Sequence, residues 1–295
     1  MATQVQLPVN SFLSGVHVLP VQGSGIEKAG VGQLDPWLSE IIEFKTPLVT
    51  EDATLLPNDA AAAFGVPVFC DGSLTSIVVL CATKTLPPEV DAAEPVGVFE
   101  VWRPIGPYEE VHLASGYYGK MERFHNVSSF VRFERGTGLP GQVWEKGVGV
   151  IHDDLSNHPG FLRAAGASAD LLQTAIGFPV VDADFIASVL LISSGRTPIA
   201  RGFEVWHRSG DDFELLGGSY RGLAEGFVLP NGSKCSSEVG WASKLTAARG
   251  AVLSESPADW MGVREVDPDS DSPRCGLAIP QFRGSELTGF VALLF

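Results

Sequence analysis

A chain of 295 residues is long for one compact core and suits two or three modules. Its 45% hydrophobic and 19% charged content fills ordinary globular interiors and excludes extensive disorder. The net charge of −15 repels phosphate backbones and anionic bilayers, which excludes nucleic acid and membrane surfaces as main partners, although acidic surface also serves plain solubility.

The start, Met1 to Gln6, has no basic region ahead of an apolar run, and no segment approaches ~18 uninterrupted apolar residues. Neither a secretory signal nor a membrane span is expected, and a cytoplasmic location is. Cys70, Cys81, Cys235 and Cys275 stand far apart without a C-x-x-C spacing, as reduced thiols in a cytoplasm do. Up to Trp37 the chain is Gly-rich and offers only Val16, Val18 and Leu19, then Val31, as apolar strand signals. Phe44 to Asp52 leads to a hairpin formed by Phe64-Gly65-Val66-Pro67-Val68 and Ser76 to Cys81. Leu86-Pro87-Pro88-Glu89-Val90-Asp91 is a stiff linker.

A second module opens on two alternating strands, Val98-Phe99-Glu100-Val101-Trp102 and Glu110 to Ala114. Its best-defined passage runs from Phe133 to Ser193. Gly136 to Gly141 predicts a tight turn, Gln142 to Lys146 a short helix stopped by Gly147, and Val148 to Ile151 a strand entering the polar loop His152 to Gly160. Phe161 to Thr174 predicts an Ala- and Leu-rich helix, and Ile176 to Val181 and Ala187 to Ile192 two strands joined by an acidic turn at Asp182 and Asp184. After the linker Gly195 to Pro198, Gly202-Phe203-Glu204-Val205-Trp206 repeats the earlier opening, and Leu277-Ala278-Ile279-Pro280-Gln281 with Gly289 to Phe295 repeats the earlier close. Where the second module has its Phe161 helix, the third has only Pro257 to Gly262 and an acidic run, Asp267 to Pro273.

The recurrences divide the chain into residues 1–88, 95–195 and 198–295, the first of them degenerate. Pro67, Pro179 and Pro280 each follow an apolar residue near the expected start of a strand, and a residue without an N–H belongs at a strand's first residues or on an edge.

The passage RGTGLPGQVWEKG, the strand-ending Asp154, Phe161 with Arg163 and Ala164 behind it, and AIGFPV before a terminal hairpin resemble the GAF domain family, small α/β sensory modules of signalling proteins. The resemblance implies an α/β (α+β) fold in which each module has a mainly antiparallel central sheet flanked by helices. It implies a cavity at the loop after Val148 to Ile151, with Trp144, Phe161 and Phe178 as apolar floor and His152, Asp154 and Arg163 gripping a small ligand. The alternative at the same residues is structural: Asp154 capping a turn, Phe161 plugging the core and Arg163 paired with an acid. Members of the family bind cyclic nucleotides, tetrapyrroles, haem, small acids or nothing known, so the cofactor stays unknown, and a homodimer is expected by analogy alone.

Other chemistries have weaker support. His152, Asp153 and His158 lack zinc-site spacing, so no metal is expected. Gly136-x-Gly138-x-x-Gly141 follows no clear strand of a βαβ unit and is not read as a dinucleotide fingerprint. No Cys-His pair is present for covalent bilin attachment, and the cyclic-nucleotide signature of the family is missing. A thiol-based reductase of the free methionine sulfoxide type ranks third as a function, behind a non-catalytic sensory or ligand-binding protein and a ligand-free scaffold. With no kinase, cyclase or helix-turn-helix segment to assign, output is expected from a partner polypeptide.

Overall fold

The computed structural model describes residues 6–23, 25–26, 33–92, 94–169, 171–261, 264 and 272–295. Val31 and Asp267 to Asp271 of the acidic run lie outside the described residues.

Strands such as Ala60–Cys70 and Phe185–Ser194 are buried along nearly their whole length, and a strand apolar on both faces needs cover on both. Three antiparallel sheets, each with a helix on one face and the other two sheets on the opposite face, meet that need. The first unit contains β1 (Leu13–Gln22), β2 (Gly25–Ile26), α1 (Asp35–Phe44), β3 (Leu48–Thr50), β4 (Ala60–Cys70) and β5 (Ser73–Thr83), with sheet order β2-β1-β5-β4-β3. The second contains β6 (Gly97–Pro104), β7 (Glu110–Tyr117), α2 (Glu122–Phe130), β8 (Arg132–Glu134), α3 (Gly138–Lys146), β9 (Val150–Asp153), α4 (Ala164–Ala169), β10 (Leu172–Val181) and β11 (Phe185–Ser194), with order β8-β7-β6-β11-β10-β9. The third contains β12 (Gly202–Ser209), β13 (Asp212–Ser219), β14 (Lys234–Ser236), α5 (Gly240–Ala248), β15 (Val252–Ser254), α6 (Ala258–Met261), β16 (Gly276–Arg283) and β17 (Glu286–Leu294), with the equivalent order β14-β13-β12-β17-β16-β15. Each unit has the GAF-like architecture, an antiparallel central sheet flanked by helices.

Several local expectations shift. The glycine-rich stretch forms the first turn of α3: an added Cβ at Gly141 would lie 2.1 Å from the Glu134 carbonyl oxygen, so the helix can start only where that residue is glycine. The long helix expected from Phe161 to Thr174 is the shorter α4, because Leu172 already pairs with Ser194 in the sheet. Pro67, Pro179 and Pro280 are well inside their strands. Each stands two residues past the last one paired with the short outer strand, Gly65, Gly177 and Ala278 respectively, so the missing N–H breaks no ladder bond.

The three sheets share one interior. Phe64, Val66, Ile176, Phe178, Leu277 and Ile279 belong to a single buried cluster, and β4, β10 and β16 pack on one another pairwise around a common axis. Contacts between units run in a closed circle: β3 on β6 and β7, β9 on β12 and β13, β15 on β1. The chain is a pseudo-threefold ring of three units. Among the described residues no helix is long and apolar enough to cross a membrane.

Candidate functional site

In the second unit, β6 alternates so that Glu100 and Trp102 face the helix-covered side of the sheet while Phe99 and Val101 face the shared interior. Glu100 is fully buried and receives four polar partners. The Trp102 indole N–H donates to Oε2 at 2.9 Å, the Tyr118 hydroxyl to Oε1 at 2.8 Å, and Ser128 Oγ to Oε1 at 3.2 Å. Arg163, also buried, donates with one guanidinium nitrogen to Oε1 and with the other to Oε2 at 2.9 Å. Burial alone would raise the Glu100 carboxyl, but the Arg163 charge and these donors outweigh it and hold it below its ordinary value. Phe124 and Phe161 both lie against the guanidinium, at 4.7 and 5.4 Å from the ring centres.

The remaining sequence candidates do not gather into one pocket. Phe161 is core, stacked at 6.4 Å on Phe124. His152 is buried, its Nε2 3.2 Å from Gln142 Oε1 and its ring stacked 3.9 Å from that of His158; burial first, then the charges of His158 and Lys146, lower it to about 4. Asp154 is exposed, in the left-handed region at φ 52, and accepts from Asn157 Nδ2 at 3.0 and 3.2 Å. Trp144 stacks on Phe185 at 5.3 Å. Phe178 lies on the opposite sheet face, in the shared interior, so the apolar floor expected of Trp144, Phe161 and Phe178 does not form. Asp153 serves the next unit, accepting from Arg221 Nε at 2.8 Å. Arg163 does pair with an acid, but with one 63 positions away on β6.

Unit three repeats the arrangement that sequence reading missed. Trp206 donates to Glu204 Oε2 at 2.9 Å, Tyr220 to Oε1 at 2.9 Å, and Arg264, reached past α6, takes the place of Arg163. The signal was present: a glutamate stands at an inward position of the same alternating strand in both copies. In unit one, β1 puts His17 opposite Val79, the register Glu100 holds opposite Leu190 and Glu204 opposite Ala292. Beside the Glu204 network remains a cavity of only about 40 Å³, close to the space of one water.

The larger cavity, about 330 Å³, lies at one end of the common axis, between the hairpins β4–β5, β10–β11 and β16–β17. All three hairpins break register at the same point, between Val68 and Phe69, Val180 and Val181, and Gln281 and Phe282. Such bulges re-aim the residues that follow them, and here those residues line the cavity. Phe178 is the one sequence candidate in its wall. Among the described residues no three His, Cys, Asp or Glu side chains stand together as metal ligands would. The cysteines are all free, and burial pushes Cys70 upward and Cys81, Cys235 and Cys275 up to about 12.

No family model matches the sequence, and no curated protein does. Solved structures similar to part of the chain include the A. aeolicus NLH2 GAF domain in an inactive state, at 19% identity over 34% of this chain and 59% of that one, TM-score 0.28. Free methionine-R-sulfoxide reductase from Neisseria meningitidis in complex with its substrate matches at 22% identity over 35% of this chain and 53% of that one, TM-score 0.26. The GAF domain of a two-component sensor histidine kinase from Bacillus halodurans matches at 11% identity over 32% and 63%, TM-score 0.25. The chain therefore spans a little over half the length of the first two.

Proposed function

We propose that this chain is a non-catalytic sensory protein in which three GAF-like units act as one body, take up a small molecule, and pass the change to a partner polypeptide. The observation that carries the reading is the cavity of about 330 Å³ between the three hairpins, a volume at the lower end of small-molecule sites. A ligand there touches all three units at once, so binding can shift the ring as a whole. The thiol-reductase reading is disfavoured, because thiols held up to about 12 carry almost no thiolate at neutral pH.

A ligand-free scaffold is the second reading. It is favoured by one observation: the helix-covered interiors of units two and three are occupied by their own Glu–Trp–Tyr–Arg networks. Native mass spectrometry of freshly purified protein, set against its denatured mass, separates the two. A mass excess lost on denaturation, or a saturable thermal shift with a small molecule, is expected for the sensor; neither, across a broad library, leaves the scaffold.

A further inference from the structure

The junctions between units are alike in backbone and different in side chains. Where the long hairpin of a unit starts and ends, unit one pairs Ala62 with Ala82, and unit three sets Cys275 beside Phe295, all four buried and apolar. Unit two has Thr174 and Ser193 in the same register. The facing strands differ in the same sense. In unit two Phe99 pairs with Tyr117, and Gly97 and Gly119 stand two places outside them; in unit three Phe203 pairs with Ser219, and the outer residues are Arg201 and Arg221. Between units one and two the Phe12 ring fills the space, 5.4 Å from Phe99, 6.2 Å from Tyr117 and 2.8 Å from where a Cβ on Gly97 would be. Between units two and three the equivalent positions are polar or basic, and they surround a cavity of about 80 Å³.

The hydroxyls of this cavity are already committed. Thr174 and Ser219 donate to Asp153 Oδ1 at 2.6 and 3.3 Å, and Ser193 Oγ accepts the Ile199 N–H at 2.9 Å. The arginines are held by Nε only. Arg201 Nε donates to the Gly222 carbonyl at 2.7 Å, and Arg221 Nε, one place earlier on that segment, donates to Asp153 Oδ1 at 2.8 Å. Among the described residues, the terminal nitrogens of both guanidinium groups have no partner, and both side chains line the cavity. With Asp153 as the acid they meet, one positive charge is in excess here, in a chain of net charge −15. The terminal nitrogens of a guanidinium form a fork that matches two oxygens of one anion. Two forks ask for more than two oxygens, which phosphate has and a carboxylate lacks. At about 30 Å³ for each water, the cavity has the room of roughly two or three waters, enough for an ion of that size.

We infer that the junction of units two and three binds a tetrahedral oxyanion of the phosphate type between the free ends of Arg201 and Arg221, with Gln173 of unit two beside it. This site shares no residue with the cavity between the three hairpins, so it stands whether or not a ligand binds there. The Arg221 side chain is 46% exposed, and the anion reaches it from solvent either as a free ion or as the end of a phosphomonoester.

The test is calorimetric titration of the intact chain, at fixed ionic strength, with inorganic phosphate, acetate and phenyl phosphate. Phosphate is expected to saturate, at least tenfold more tightly than acetate. Arg201→Gln and Arg221→Gln should each weaken phosphate binding tenfold or more, while Arg132→Gln, on the edge strand β8, should change it less than twofold. Arg201→Lys keeps the charge and the fold but loses the fork; it should weaken phosphate at least threefold and leave the melting temperature of the free protein unchanged, which keeps the test open if a glutamine variant fails to fold. Phenyl phosphate binding as tightly as phosphate assigns the site to a phosphomonoester, and weaker binding assigns it to the free ion. Acetate as tight as phosphate overturns the tetrahedral class. Phosphate binding untouched by the Arg201 and Arg221 variants overturns the location, and no saturation with phosphate at millimolar concentration overturns the site.

Discussion

Glu204 in β12 repeats Glu100 in β6: each accepts an indole N–H from the tryptophan two residues on, a tyrosine hydroxyl, and a buried arginine contributed by a loop near the far end of its unit. The carboxylate ties the start of the unit to the segment that closes it. A pair so deeply buried gains little net stability over apolar residues of the same volume, but losing one member strands the other charge.

Glu100→Gln and Arg163→Met, made singly, should therefore cost about 3–5 kcal/mol each in urea unfolding at pH 7. The double change Glu100→Leu with Arg163→Met should cost less than either single one. A double mutant as unstable as the sum of the two would show that the pair acts as independent packing rather than as matched charge.

His152 sets a pH dependence. The unfolded chain protonates this histidine near its ordinary value of 6.5, the folded one only near about 4, so between those values the unfolded state holds the extra proton. Stability is fully present above 6.5 and falls as pH drops towards 4, by up to about 3 kcal/mol, then changes no further from this group. His17, also lowered by burial, adds a slope of the same sign. Unfolding free energies of wild type and His152→Leu, compared from pH 7.5 to 4.5, should converge as pH falls; parallel curves would remove His152 as the source.

Gly141→Ala tests the start of α3. The added methyl would meet backbone, the Glu134 carbonyl at 2.1 Å, and backbone cannot turn aside as a side chain can. A loss of more than about 2 kcal/mol is expected, at the upper end of overpacking costs. Gly147→Ala, with open space beyond its Cβ and non-glycine residues at the two equivalent helix ends, should cost well under half as much. Equal losses would mean that backbone conformation, not contact, decides both.

The shared interior makes the ring one cooperative unit. Far-UV circular dichroism and tryptophan fluorescence should report a single coincident urea transition, although the six tryptophans are spread over all three units. Two separated transitions would show that a unit holds together without its neighbours.

The fold was largely legible because its signals are local. Val98 to Trp102 and Gly202 to Trp206 each carry strand alternation, and three proline-bearing hairpins repeat one design. The proline reading failed only in position: the short β3, β9 and β15 stop before it, and strand length is decided by the partner strand, not by the residue. Site residues were less legible because they depend on pairing across long separations. Nothing near Arg163 in sequence identifies Glu100 as its partner. Phe178 follows Gly177 by one place, and that single step decides that it faces the axis, while an atom added at Gly177 would touch Val143 and Leu139 of α3. The cavity required three units at once, which no single stretch contains.

Val66, Phe178 and Ile279 occupy one register in three strands around the axis, opposite Val78, Val189 and Val291. Their sizes differ, and all three also stand in the wall of the cavity of about 330 Å³. The space at the axis is therefore divided between three side chains and a void, and the identity of any one residue does not set it alone. Exchanging the residues of two strands, Val66→Phe together with Phe178→Val, keeps the filled volume, whereas Val66→Phe alone takes its extra volume from the cavity. The large side chain can thus pass from one unit to another with the void unchanged, while a single enlargement narrows it.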